Sequence, residues 1–192
     1  MPDVTINKAI AKILSDIRVE LSQEFDKNFQ RQGFFTEAWQ RHKTPLSKGS
    51  ILTGTGDLRR SIRTVSDQKS ITFISDLPYA AIHNEGGEIK VTQRMKSYFW
   101  HRYYEAVGRL EHKKDGGMRR TKKNASLNAD AEVWKHMALM RVGAVIKIPK
   151  RRFLGESPEV RRICEDTISR NLEEYFSEFG SEKAKQINKE VK

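Results

Sequence analysis

Apolar residues recur at Ile10, Ile13, Leu14, Ile17, Leu21, Phe25 and Phe29, in steps of three and four. That spacing gathers them on one stripe of an amphipathic helix, predicted to begin after Asp3 or Thr5 and to stop near Gly33. From 34 to 52 the period is lost and Pro45 and Gly49 appear, so the segment reads as a loop pinned by Trp39 and Leu46. Two β-branched and aromatic runs follow, 62–66 and 70–75, around the polar turn Asp67-Gln68-Lys69, and this is the pattern of a hairpin. A third alternating run, 88–92, comes after Gly86-Gly87, and a fourth, 144–148, ends at Pro149. Four short strands predict one small, mostly antiparallel sheet.

Between the third and fourth strands lie some fifty residues with helical spacing at both ends. Phe99, Tyr103, Ala106, Val107 and Leu110 form one set, and Val133, Met137, Ala138 and Arg141 the other. The stretch 112–128 between them is basic, glycine-containing and without period, which predicts a mobile tip joining two helices. The last helix is marked by Ser157 at the N-cap and Pro158 in the first turn. Its stripe runs through Val160, Ile163, Cys164, Ile168, Leu172, Tyr175, Phe176 and Phe179, with Gly180 as its stop. The whole is of the α+β class: about four strands packed by long N- and C-terminal helices, in a single domain over 1–180 with a helical insertion at 93–143. Residues 181–192, charged and free of aromatics, read as a flexible tail.

Composition sharpens this picture at a few points. With 37% hydrophobic and 32% charged residues, three Trp, five Tyr and nine Phe, the 192-residue chain is polar but able to fold, and should bury roughly 70% of its unfolded surface. The single cysteine, Cys164, excludes an internal disulfide and a cysteine metal cluster, and its apolar register suits a buried thiol. No apolar run reaches membrane-span length, and the N-terminus has no signal-peptide pattern, so the expected place before assembly is a cytoplasm. The net charge of +11 is concentrated: residues 109–123 hold seven Lys or Arg against two acids, and 147–152 hold four against none. Such runs suit phosphates, an acidic protein or plain solvation, and no nucleic-acid module or stacking set accompanies them. Trp100, Tyr103 and Tyr104 are read as core packing, because Tyr103 falls on the apolar stripe.

Three glycine-containing segments are the candidates for function. Thr53-Gly54-Thr55-Gly56-Asp57 lacks the Gly-Lys-Ser/Thr ending of a phosphate loop, so Thr55 or Asp57 is expected to cap a short helix that buries Leu58 and leads to Ser61, with Arg59, Arg60 and Arg63 outward. His83-Asn84-Glu85 has no second histidine at ligand spacing, and is read as a short helix from Tyr79 and Ala80 to Glu85, ended by Gly86 or Gly87. No metal, cofactor or catalytic group is expected. A hydrolase built on His83 and Glu85 ranks last among the readings. Arg151-Arg152-Phe153-Leu154-Gly155 joins the last strand to the last helix, with Phe153 and Leu154 anchored in the core and the basic run before them exposed.

Taken in order, these elements resemble the phage virion morphogenesis family, the tail-completion proteins of Mu-like phages and prophages. The positions that carry the resemblance are Thr55, Gly56, Leu58 and Ser61; Tyr79, Ala80, Ile82, His83, Gly86 and Gly87; and Arg151, Phe153, Leu154 and Gly155, with Trp39 and Leu46 upstream. The resemblance spans about 1–180, and its departure is the longer insertion from 93 to 143. It implies a non-enzymatic virion component at the head-proximal end of a tail, acting in tail completion or head-tail joining as a homo-oligomeric ring, with other tail or neck proteins as partners and no membrane. Loops 53–57 and 84–88 are candidate contact patches. Lys113, Lys114, Arg119, Arg120, Lys122 and Lys123 form a candidate docking arm for another virion protein or for DNA, without sequence specificity. The competing reading is a nucleic-acid-binding protein of a mobile element that uses this basic insertion.

Overall fold

The computed structural model describes the backbone of residues 2–41 and 50–190 and the side chains of residues 6–41 and 50–181. Leu46, with Pro45 and Gly49, lies outside the described residues. The elements are α1 (Pro2–Arg31), β1 (Gly33–Phe34), β2 (Glu37–Ala38), α2 (Asp57–Arg60), β3 (Ile62–Ser66), β4 (Ile71–Ser75), α3 (Ala80–Glu85), β5 (Gly87–Lys90), α4 (Gln93–Gly108), α5 (Lys122–Leu139), β6 (Val145–Ile148) and α6 (Pro158–Glu190). The class is α+β. Contacts divide the chain into two compact units, one of 1–38, 56–77 and 152–192, the other of 39–55 and 78–151. The second unit thus takes in the helical pair of the expected insertion together with α3, β5 and β6.

In the first unit α1 packs on α6, and the expected stripe supplies the core. Ile17, Leu21, Phe25 and Phe34 are buried together, and Ile13, Phe35, Ile71, Phe73, Leu154, Val160, Ile163 and Cys164 pack against them. Phe25 is the hub, with the rings of Phe73 at 4.9 Å and Phe35 at 6.4 Å meeting it edge-on. Burial pushes the Cys164 thiol above its usual pKa, helped by Glu165 and Glu20, as suits a packed thiol. Where a loop was expected after α1, β1 and β2 form a tight ribbon with Gly33 opposite Ala38. The fully buried Asn28 holds it: its Oδ1 accepts the Phe35 N–H at 3.0 Å, while its Nδ2 donates to the Phe153 carbonyl at 3.3 Å.

Three corrections to the sequence reading follow from packing. Among the described residues the four longer strands form no single sheet: β3 pairs with β4 and β5 with β6, both antiparallel. Each ribbon is covered by helices of its own unit; Ile71 and Phe73 of β4 lie on the α1 core, and Gly87 of β5 lies against Ile82 of α3. Gly180 does not stop α6, which continues to Glu190 through a region rich in good helix formers. One helical glycine costs only about 1 kcal/mol relative to alanine, which such neighbours offset.

The third correction concerns which face of α6 is inside. Val160, Ile163 and Cys164 reach the core, but further along the buried residues are Thr167 and Asn171, while Ile168, Leu172, Phe176 and Phe179 are 37, 39, 64 and 44% exposed. Polar bonds hold the helices here. The Thr167 hydroxyl donates to Glu20 at 2.7 Å, Arg170 also pairs with Glu20, and Lys12 reaches Asn171 at 3.1 Å and Glu174 at 2.5 Å.

Removing Asn28 should leave a buried carbonyl and an N–H without a partner, so Asn28→Ala is expected to cost about 2 kcal/mol in urea unfolding. Asn28→Asp, which loses the donor, should cost at least as much. The Thr167 bond, opposed by partial desolvation and aided by Arg170, lowers the pKa of Glu20; the Arg59 bonds do the same for Asp26. A depressed folded pKa means that the unfolded chain binds more protons, so this stabilisation is present above the ordinary carboxylate range and is lost as pH falls below about 4. Urea midpoints measured from about pH 7 to about pH 3 should fall less steeply in Glu20→Gln and Asp26→Asn than in the parent.

Candidate functional site

The first motif is a turn that locks α2 to its surroundings. Gly56, and not Thr55 or Asp57, stands at the N-cap of α2, with φ of 80° and no side-chain cap bond. A Cβ there would lie 2.7 Å from the Arg60 guanidinium, in a backbone region that favours glycine. Leu58 is buried, as expected. Arg59 reaches back to form a two-pronged pair with Asp26 of α1, Arg60 bonds Asp57 at 2.8 Å, and Arg63 pairs with Asp76 at 2.5 Å, so all three expected outward arginines have carboxylate partners. Ser61 Oγ donates to the Leu58 carbonyl at 2.8 Å and lies 2.6 Å from Ser75 Oγ, tying the end of α2 to β4.

The second motif and the start of the third form one joint in the other unit. The His83 N–H donates to the Tyr79 carbonyl at 3.2 Å, the two rings meet edge-on at 6.1 Å, and Ala80 is buried. The His83 carbonyl in turn accepts the Arg151 N–H at 2.8 Å. Gly86, with φ of 74°, ends α3 and lets the chain run beneath the Lys150 backbone, where a Cβ would approach to 2.8 Å. From there Gly87 opens β5 opposite Ile148 of β6. Glu85 faces Lys150 at 3.6 Å and takes a bond from Asn84 at 2.5 Å.

The basic run before Phe153 is not uniformly exposed, which corrects the sequence reading. Arg151 is buried; its Nε donates to the Gln40 carbonyl at 3.1 Å, and desolvation pulls its pKa below the usual arginine range. In the first unit, Arg152 lies over the Phe34 ring, 4.6 Å from its centre, and bonds the Glu156 carbonyl. A Cβ on Gly155 would strike that same guanidinium. Phe153 is buried against Phe29 at 5.4 Å, Leu154 packs on the core, and Ser157 Oγ caps α6 by accepting the Val160 N–H at 3.2 Å.

The tip between α4 and α5 is more organised than its lack of period implies. α5 begins at Lys122, capped by the Thr121 hydroxyl, which accepts the Asn124 N–H at 3.1 Å. Asn124, itself buried, accepts the Glu111 N–H at 3.0 Å and donates to the Glu111 and Arg119 carbonyls at 2.8 Å each. The loop it closes is crossed by a bridge between His112 and Met118 and by a 2.6 Å bond from the Lys113 N–H to the Gly117 carbonyl. Below it, Trp134 of α5 stacks on Phe99 of α4 at 6.1 Å and takes Arg102 on its ring. Trp100 and Tyr104 stack on each other at 5.9 Å, with Tyr104 largely exposed.

Among the described residues, no three His, Cys, Asp or Glu converge as metal ligands, and no helix is long and apolar enough to cross a membrane. Each motif residue described above serves a turn, a cap or a packed joint. A model of the phage virion morphogenesis family matches residues 6–173, a span that contains α1, all three motifs and the start of α6.

The chain belongs to the phage virion morphogenesis family.

Its role is therefore structural, in the building of a phage particle. No curated protein and no solved structure matches it. For this virion morphogenesis protein, the residues that sequence reading missed are the buried Asn28, Asn124 and Asn171 and the carboxylates Glu20 and Asp26. Asn124 did carry a signal, since Thr121 three positions earlier is a helix-cap residue.

Gly86→Ala should place a methyl group against the Lys150 backbone in a left-handed conformation, at a cost of about 2–3 kcal/mol. Gly143→Ala, also at positive φ but with open space around it, should cost only about 1 kcal/mol. Thermal midpoints of the two variants check the ranking.

Proposed function

We propose that the chain acts at the head-proximal end of a phage tail, completing the tail or joining it to the capsid, as a closed ring of identical copies. The observation that carries this reading is the family match over most of the chain, combined with motifs that are consumed in holding the protomer together. The surface left for assembly is apolar. Ile168, Leu172, Phe176 and Phe179 make a ridge on α6, and monomeric proteins seldom leave such a contiguous patch in water.

A second copy is the occupant that fits it. In the same unit, a groove of about 930 Å³ runs between α1 and the β3–β4 turn, lined by Ile10, Ala11, Leu14 and Arg18 on one side and by Ser66 to Lys69 on the other. Its turn is stiff: Asp67 accepts the N–H groups of Lys69 and Ser70, each at 2.7 Å. A ridge that enters the groove of the next copy is a head-to-tail contact between two different patches, and such contacts close into rings when the rotation permits. Loops 53–57 and 84–88 are further candidate contact patches, with Gly56 and Gly86 themselves facing inward to their own chain.

Two substitutions separate a head-to-tail contact from a symmetric one. Phe176→Asp on the ridge and Ala11→Asp in the groove should each yield monomers by light scattering, with unchanged circular dichroism. Mixed together they should give a dimer, because each variant keeps the patch that the other has lost. A parent chain that is monomeric at every concentration, or a mixture that stays monomeric, overturns the ring. In the parent phage, loss of the gene should leave filled heads and unjoined tails by electron microscopy, and normal joined particles would overturn the placement at the tail.

A further inference from the structure

The cationic excess of this chain belongs to one unit. Residues 39–55 and 78–151 hold 19 Lys and Arg against seven Asp and Glu, a net of +12, whereas the first unit holds 17 against 18. Charge that served solubility alone would be interspersed over both. Within the second unit the density peaks at the tip of the helical pair, where residues 109–123 carry seven Lys or Arg.

This tip has a fixed shape. Asn124 clamps the two ends of the loop, the bridge between His112 and Met118 holds its limbs together, and Gly116 turns at φ of 82°. Of its two acids, Glu111 is paired with Lys123 at 2.6 Å and Asp115 accepts the Gly117 N–H at 2.9 Å, so both are engaged inside the loop. Lys113, Lys114, Arg119, Arg120 and Lys122 stand exposed around it. A clamped loop has lost its conformational freedom before any ligand arrives, which lowers the cost of binding.

We propose that the loop of residues 111–123 binds the phosphates of duplex DNA without reading its sequence. Duplex DNA presents one negative charge per about 1.7 Å of axis, a density suited to several cations within one short loop. Lys and Arg contacts to phosphate position a protein and carry no base information. A single-stranded ligand would need open aromatic platforms. The loop itself has no Phe, Tyr or Trp. The inference goes beyond the ring and does not depend on it.

Fluorescence anisotropy with two unrelated duplexes tests it on the full chain. Four phosphate contacts predict a log–log salt slope of about −3.6 and an affinity loss of about 100-fold from 50 to 200 mM salt. Replacing Lys113, Lys114, Arg119 and Arg120 by Gln should remove most of this slope and at least tenfold of the affinity at low salt. The control replaces Lys8, Lys27, Arg161 and Arg162, exposed residues of the first unit outside the groove, by Gln, removes the same charge, and should change affinity by less than about twofold. An equal loss in the control, or none in the loop variant, overturns the proposal. So does displacement of the DNA by poly-glutamate at equal charge concentration, which would reassign the loop to an acidic protein.

Discussion

A single buried amide sets the frame of the first unit. Asn28 lies beside Phe29 on a stretch of helix whose other buried residues, Leu21, Phe25 and Phe29, are apolar, and there a polar side chain is tolerated only if its hydrogen-bonding groups are used. Its two ends bond backbone atoms of segments far apart in sequence, the β1–β2 ribbon and the Phe153 stretch. Because an amide donates at one end and accepts at the other, only one arrangement of these segments satisfies both. Hydrophobic burial alone would let the ribbon and the 153–155 stretch slide on α1; Asn28 selects the register, after which Phe153 can fill the space beside Phe29.

The same logic recurs in the second unit with Asn124. There too a buried amide bonds backbone groups from both sides of a loop, and there too the flanking sequence is irregular. Neither asparagine was legible from periodicity, since a polar residue within a helix reads as a break in the stripe or as a solvent-facing position. What was legible follows from local rules: the core half of α1, the Ser157 cap, the β3–β4 hairpin, and the burial of Leu58, Phe153 and Trp39. Pairing between ribbons was not, because strands of four or five residues carry too little pattern to say which edge meets which. The face of α6 was misread for a related reason. The apolar spacing continues unbroken past Cys164, but the partner helix offers Lys12 and Glu20 at that level, so Thr167 and Asn171 turn inward and the apolar row is left outside.

The motifs that carry the family resemblance are thus geometric in purpose. Gly56, Gly86 and Gly155 each stand where a Cβ would meet another group, and Arg151 is spent on a backbone carbonyl inside its own unit. Residues of this kind are constrained by the shape of the protomer, and in the proposed ring that shape would have to be reproduced closely for each copy to meet the next at the same angle. Conversely, the exposed ridge on α6, as the contact proposed for a second copy, would need only to be apolar and of suitable relief.

Charge segregation bears on the proposed ring. There, a unit with 19 cations and seven anions would repel its counterpart on a neighbouring copy. At physiological ionic strength this repulsion is screened beyond about 8 Å, so it acts only between surfaces brought close together. In the proposed ring the apolar ridge would have to overcome a barrier that rises as the copies close, and that barrier would fall wherever a polyanion or an acidic surface lay alongside. Apolar contact would then supply the adhesion, and the cationic unit would make it conditional on what the assembling copies find beside them.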